Sequence, residues 1–193
     1  FGIGGGGILV PILYEVLKIL DVPLEVRMHL AVGTSLAVII PTSLRSVQSH
    51  YKHGAVDMDV LRRVGPAVLA GVLTGIVVAS FVQAAVLKVV YILTNGLMAI
   101  NLYFGRGRWN LGTEMPGRAI DRGVGWLIGT VSALVGIGGG VQLTTYMTLY
   151  GRKIHQAVAT GAGVGPIIAI PGALGYVWAG WDQASLLPPG SFG

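Results

Sequence analysis

Residues 123–151 form a run of 29 positions without a single charged side chain, interrupted at its centre by GIGGG. As one straight helix the run would be about 43 Å long, against a bilayer hydrocarbon core of about 30 Å. Broken at the glycines, which are poor helix formers, it becomes two arms of about 11 residues. Each arm then spans about 16 Å, roughly half of that core. A helix-in, glycine-tip, helix-out hairpin fits this arithmetic, and so does a tilted, interrupted span.

Four further apolar blocks accompany this run: residues 30–49, 64–87, 89–105 and 155–181. Each is of spanning length or close to it. A tight turn between two antiparallel spans is expected near Gln83 and Lys88. Only 11% of the residues are charged and mean hydropathy is +0.72. A soluble domain carries about 25% charged residues, so an all-α polytopic membrane protein is expected. The net charge of +5 fits the positive-inside bias of membrane proteins. Nucleic acid is not an expected partner, because no basic run is interleaved with aromatics. There are no cysteines, which excludes disulfides and thiolate metal sites.

A second feature is internal repetition. GIGGGGILVPIL, RMHLAVGTSLAVIIP and HGAVD in the first part return as GIGGGVQLTTYM, KIHQAVATGAGVGPIIAIP and AGWDQ. His29 aligns with His155, Thr34 with Thr160, and Gly54 with Gly180 at one spacing. Two copies of one unit are expected, with boundaries at residues 1–122 and 123–193. The loops at 45–63, 105–122 and 152–153 are each net +2, whereas on the other side 14–29 and 179–190 are each net −1 and the Lys88 turn is +1. The positive-inside rule places the first three in the cytoplasm. Arg122 and Arg152 then lie on the same side, and the segment between them is a re-entrant hairpin. Each repeat consists of one glycine-tipped broken or re-entrant helix followed by transmembrane helices. The odd number of crossings inverts one repeat relative to the other. The first hairpin and the helices after residue 193 are expected to be incomplete, as if the chain were cut from a longer protein at both ends.

Inverted repeats with broken helices are a transporter plan with a midplane substrate site. Helix N-termini carry unpaired N–H groups and a positive dipole end. Two such ends meeting at glycine tips would hold an anion without a buried Lys or Arg. The candidate substrate ligands are Gly4, Gly5, Gly6 and Gly7 in the first tip, and Gly138, Gly139, Gly140 and Gln142 in the second. Thr34, Ser35 and Thr160 offer hydroxyls, with bonding to their own helix backbone as the alternative. Arg45 is either a substrate ligand or snorkels to headgroups, and Gln48 shares its face. His29 and His155 are candidate proton-relay residues or interfacial ones. The glycines read alternatively as packing devices. A dinucleotide loop is not expected, since no strand precedes the glycines. Metal and cofactor are not expected: the His50/His53 pair lacks an acidic or thiol partner. The carboxylates Asp57, Asp59, Glu114 and Asp121 are expected in loops, so no enzyme constellation is expected.

The chain resembles the sulfite exporter TauE/SafE family of membrane permeases. The likeness is carried by GIGGGGILVP at 2–11, AVGTSLAVIIPTSLRS at 31–46, HGAVD at 53–57, GIGGG at 136–140, HQAVATG at 155–161 and LPPGS at 187–191. It implies transport of a small anionic substrate such as sulfite, an organosulfonate or another small organic anion. It also implies a multi-pass location in a bacterial or archaeal plasma membrane, with the lipid bilayer as partner and with proton or ion coupling and oligomerisation as open possibilities. A non-transporting membrane scaffold is the alternative.

Overall fold

The computed structural model describes residues 6–104, 111–112 and 114–181, with side chains given except at 101–104. Gly4, Gly5, the Asn101 side chain and the LPPGS segment lie outside the described residues. Among those described, the structure is all-helical: α1 (Gly6–Ile19), α2 (Leu24–Lys52), α3 (Met58–Phe81), α4 (Ala84–Phe104), α5 (Arg118–Val135), α6 (Gly140–Leu149) and α7 (Ile154–Gly180).

The punctuation is local chemistry. Pro23 precedes α2, and the Asp57 carboxylate caps α3 by accepting the Val60 N–H at 3.1 Å. α5 stops at Gly136, whose φ of 75° is left-handed and whose N–H donates to the Ser132 carbonyl. α6 restarts after Gly139, with φ 67°. Glycine occupies such conformations without the Cβ penalty.

The expected break in the long uncharged run is therefore present, but the arms are unequal. α5 has 18 residues because it begins before the uncharged run, and α6 has 10. Asp121, expected in a loop, sits in the first turn of α5 and is 1% exposed. The first-turn position places its charge at the favourable end of the helix dipole. The α3–α4 turn falls at Val82–Gln83, and Lys88 lies inside α4.

Three helices, α2, α3 and α7, are long and apolar enough to cross a membrane, and the apolar part of α4 is shorter, at Ala84–Ile100. The outer surface matches that reading. Val86, Val89, Leu93, Leu97 and Ile100 form an exposed apolar face on α4. Trp178 and Trp181 are exposed at the end of α7, where an aromatic belt is expected.

Two helix pairs organise the interior. α3 and α5 run parallel with their backbones in contact. A Cβ on Gly71 would strike the Trp126 carbonyl oxygen, and one on Gly129 the Val68 carbonyl oxygen. Gly125 lies against Val64, and Gly75 against Thr130 and Ala133. Thr130 closes the seam, donating to the Gly71 carbonyl at 3.0 Å and lying 3.1 Å from the Thr74 hydroxyl. These are two small-xxx-small faces, the device that lets membrane helices approach where lipid removes the hydrophobic drive.

The second pair, α2 and α7, is antiparallel: Gly33 packs on Tyr176, Leu36 on Gly172, and Ser43 on Gly165. The core between the pairs contains Val32, Leu36, Val68, Val72, Val164 and Ile168, all fully buried.

Candidate functional site

The two glycine runs, which lie more than a hundred residues apart in sequence, meet in space. A Cβ on Gly6 would collide with the Gly136 carbonyl oxygen, and Ile137 lies beside it. α1 leaves this junction towards Tyr14, near Arg27 and Lys88. α6 leaves it in the other direction, towards the start of α5. The Tyr146 hydroxyl donates to the Asp121 carboxylate at 2.7 Å, and Ser132 donates to Gln142 at 3.0 Å. The second glycine segment thus folds back on itself as a hairpin.

The hairpin tip is tied down by neighbours. Ser35 on α2 is fully buried and donates from its Oγ to the Gly136 carbonyl at 2.9 Å. On the α1 side, Tyr91 of α4 donates to the Gly7 carbonyl at 2.6 Å. Gln142 uses its amide oxygen on Ser132, while its buried Nε2 has no partner among the described residues.

A cavity of about 610 Å³ opens beside the tip. Gly138 and Gly140 form its floor, with Ile8, Leu9 and Ile12 of α1 on one wall. Val38, Ile39, Thr42, Ser43 and Ser46 of α2 form the second wall, and Gly161, Ala162 and Gly165 of α7 the third. No Lys or Arg lines it. Its polar character comes from hydroxyls and from the start of α6, whose N-cap Gly139 makes no side-chain hydrogen bond. The first-turn N–H groups of a helix in that state have no intrahelical acceptor. An anion at such a place meets donors and the positive dipole end.

The structure distributes the candidate side chains unevenly. Gly6, Gly7, Ser35, Gly138, Gly139, Gly140 and Gln142 converge on or beside the tip. Thr34, one residue from Ser35, is exposed on the other side of α2. Thr160 is fully buried but turned to the α2–α3 connection: it accepts the Asp57 N–H at 2.8 Å and donates to the Gln156 carbonyl at 2.8 Å. Arg45 lies outside the cavity lining, in a separate groove with Gln48. His29 donates from Nε2 to the Ala79 carbonyl at 3.1 Å, near the end of α3, and its buried Nδ1 has no partner among the described residues. His155 is exposed in the first turn of α7, next to the Gln156 that reaches Asp57. Asp57 precedes α3 and Ala79 lies near its end, so the histidines are separated by about 33 Å of helix. Asn95 bonds back to its own helix at the Tyr91 carbonyl.

One polar cluster was not singled out from sequence. The Asp57 carboxylate caps α3, lies 3.6 Å from Arg152 and accepts from Gln156 at 3.4 Å. Its side chain is 11% exposed. It therefore joins the α2–α3 connection to the start of α7. Removing it leaves α3 uncapped and Arg152 unpaired. Asp57→Ala is expected to cost about 2 kcal/mol. Asp57→Asn keeps a good cap and should lose less than half of that. Thermal unfolding in detergent measures both, and equal losses would contradict the division.

The family model for Sulfite exporter TauE/SafE matches residues 1–193. A probable membrane transporter protein of Haemophilus influenzae is 32% identical over 199 residues, covering all of this chain and 73% of that protein. Probable membrane transporter proteins of Methanocaldococcus jannaschii and Bacillus subtilis are 29% and 28% identical. These alignments cover 93% and 96% of this chain, and 67% and 76% of the respective relatives. No solved structure matches the chain.

Proposed function

The chain belongs to the sulfite exporter TauE/SafE family, and from that membership we propose that this membrane transporter is a permease for small anions, working by alternating access around the cavity at the glycine tips. The observation that carries the reading is the contact of Gly6 with Gly136 and Ile137, beside which the α6 N-terminus opens on that cavity. The substrate charge is met by backbone N–H groups of the tip and by the Ser46 hydroxyl of α2, since Thr42 and Ser43 donate to carbonyls of their own helix, with Ser35 holding the tip carbonyl in place. The substrate class is the sulfite, organosulfonate or related small organic anions implied by the family.

The inverted arrangement of 1–122 and 123–193 is part of the same proposal. It is supported by the antiparallel packing of α2 on α7, the helices that carry the aligned His29 and His155. It is also supported by the grouping of the loops. The segments read as cytoplasmic meet one another: Asp57 with Arg152, and the Leu111 N–H with the Leu149 carbonyl at 2.9 Å. Those read as external meet as well: His29 with Ala79, and Lys88 over the Tyr14 ring at 5.1 Å.

Uptake of radiolabelled sulfite, sulfonates and carboxylates by proteoliposomes containing the complete protein tests the reading. Saturable flux of at least one anion is expected, and no flux of any of them leaves the scaffold reading in its place. Because residues 1–193 hold no cysteine, Arg122→Cys and Arg152→Cys report topology directly. Both are expected to react with an impermeant reagent from the same side. Labelling from opposite sides removes the hairpin.

A further inference from the structure

A second site lies on α2, away from the glycine tips. Arg45, Gln48, Ser49, Lys52 and His53 line a groove of about 240 Å³ on one exposed face at the helix end. Their spacing of three to four residues stacks them along that face. Arg45, Gln48, Ser49 and Lys52 each carry a hydrogen-bond donor, and no carboxylate lines the groove. Neither Arg45 nor Lys52 makes a salt bridge among the described residues; the pairs formed are Lys18–Glu15 and Arg152–Asp57. His53 donates from Nδ1 to the Ser49 carbonyl at 2.7 Å, so its Nε2 faces the groove's surroundings as an acceptor and not as a phosphate donor.

The same face continues towards the middle of α2 through Leu44, Pro41 and Ala37, all exposed and apolar. A cluster of donors at the end of a spanning helix, followed by an apolar strip at lipid depth, has the two-part character of a phospholipid: phosphate first, acyl chain second. We propose that this face of α2 is a binding site for an anionic phospholipid, with Arg45 and Lys52 on the headgroup phosphate and Leu44, Pro41 and Ala37 along an acyl chain. Positive residues at the end of a membrane helix attract anionic headgroups, by about fivefold in affinity for each charge. Arg45 and Lys52 stand about two helical turns apart, so one headgroup with its glycerol reaches both.

Native mass spectrometry of the complete protein in detergent, titrated with phosphatidylglycerol or phosphatidylcholine, tests the site. Retention of phosphatidylglycerol over phosphatidylcholine is expected. The pair Arg45→Gln and Lys52→Gln should lower that retention by about thirtyfold. The pair Arg62→Gln and Arg63→Gln removes the same charge from two exposed positions on α3 that do not line the groove, and should lower retention clearly less than the first pair. Equal loss in both pairs would reduce the effect to net charge and overturn the site. So would equal retention of both lipids. Leu44→Asn separates the sources of the phosphate: it should weaken lipid retention while sparing binding of inorganic phosphate. Binding of inorganic phosphate with no lipid preference overturns the lipid assignment.

Discussion

Gly129→Leu is expected to leave little folded protein. The Gly129 position faces the Val68 carbonyl on the parallel neighbour, and a Cβ there has nowhere to go except into backbone. α3 and α5 would have to separate, and the Thr130 hydroxyl would lose the Gly71 carbonyl that it meets at 3.0 Å. Overpacking a well-filled core costs typically 1–3 kcal/mol. Here the obstacle is main chain and cannot change rotamer, so a loss of about 3 kcal/mol is expected. Marginal stability makes that a large fraction of the whole. Gly96→Leu is the control: the same change on α4, where a Cβ meets nothing within 4 Å. Fluorescence-detected size exclusion after heating should show the Gly129 variant aggregating and the Gly96 variant unchanged. Similar profiles for the two would show that the α3–α5 seam tolerates separation.

Gly139→Val is expected to abolish anion flux, by a factor of at least about 100, while the protein still inserts. Two effects combine. The φ of 67° is a left-handed conformation, which costs an L-residue about 1–2 kcal/mol and a β-branched one more. The added Cβ also runs into the Ile168 side chain and approaches Ser132 Oγ at 3.1 Å. Relief requires the tip to shift and the start of α6 to re-aim. Displacing a positioned group by about 1 Å costs about a hundredfold in a preorganised site. Gly139→Ala carries the φ penalty with less bulk and should retain part of the flux. Transport rates in proteoliposomes, normalised to inserted protein, give the answer. Unchanged flux in Gly139→Val would remove the tip from the substrate path.

The broken helix was legible because length and charge leave few options: 29 uncharged residues with glycines at the centre must bend or overshoot the bilayer. The placement of hydroxyls was not legible to one residue. An α-helix turns about 100° per residue, so Thr34 points outward while Ser35 reaches Gly136. Only the neighbouring helix decides which of the two is useful. Asp57 was hidden for a different reason. Its partners Arg152, Gln156 and Thr160 lie about a hundred residues further on, and no local pattern announces a contact between two connections. The Gly71/Gly75 and Gly125/Gly129 faces carry a readable small-xxx-small signal, but the signal does not say which two helices it joins. Arg45 sits where the residue pattern left two options open, and the groove with Lys52 and His53 turns it away from the tip.

The Asp57 carboxylate is shared between two structures: it starts α3 and it faces Arg152 at the root of α7. A group fixed to a helix end by a main-chain bond cannot follow a departing guanidinium. Under the proposed alternating access, any parting of the two roots would leave the carboxylate with α3 and release Arg152 to water. Opening on that side would then require an exchange of partners at a single carboxylate, and added salt, which screens a partly exposed pair, should ease it.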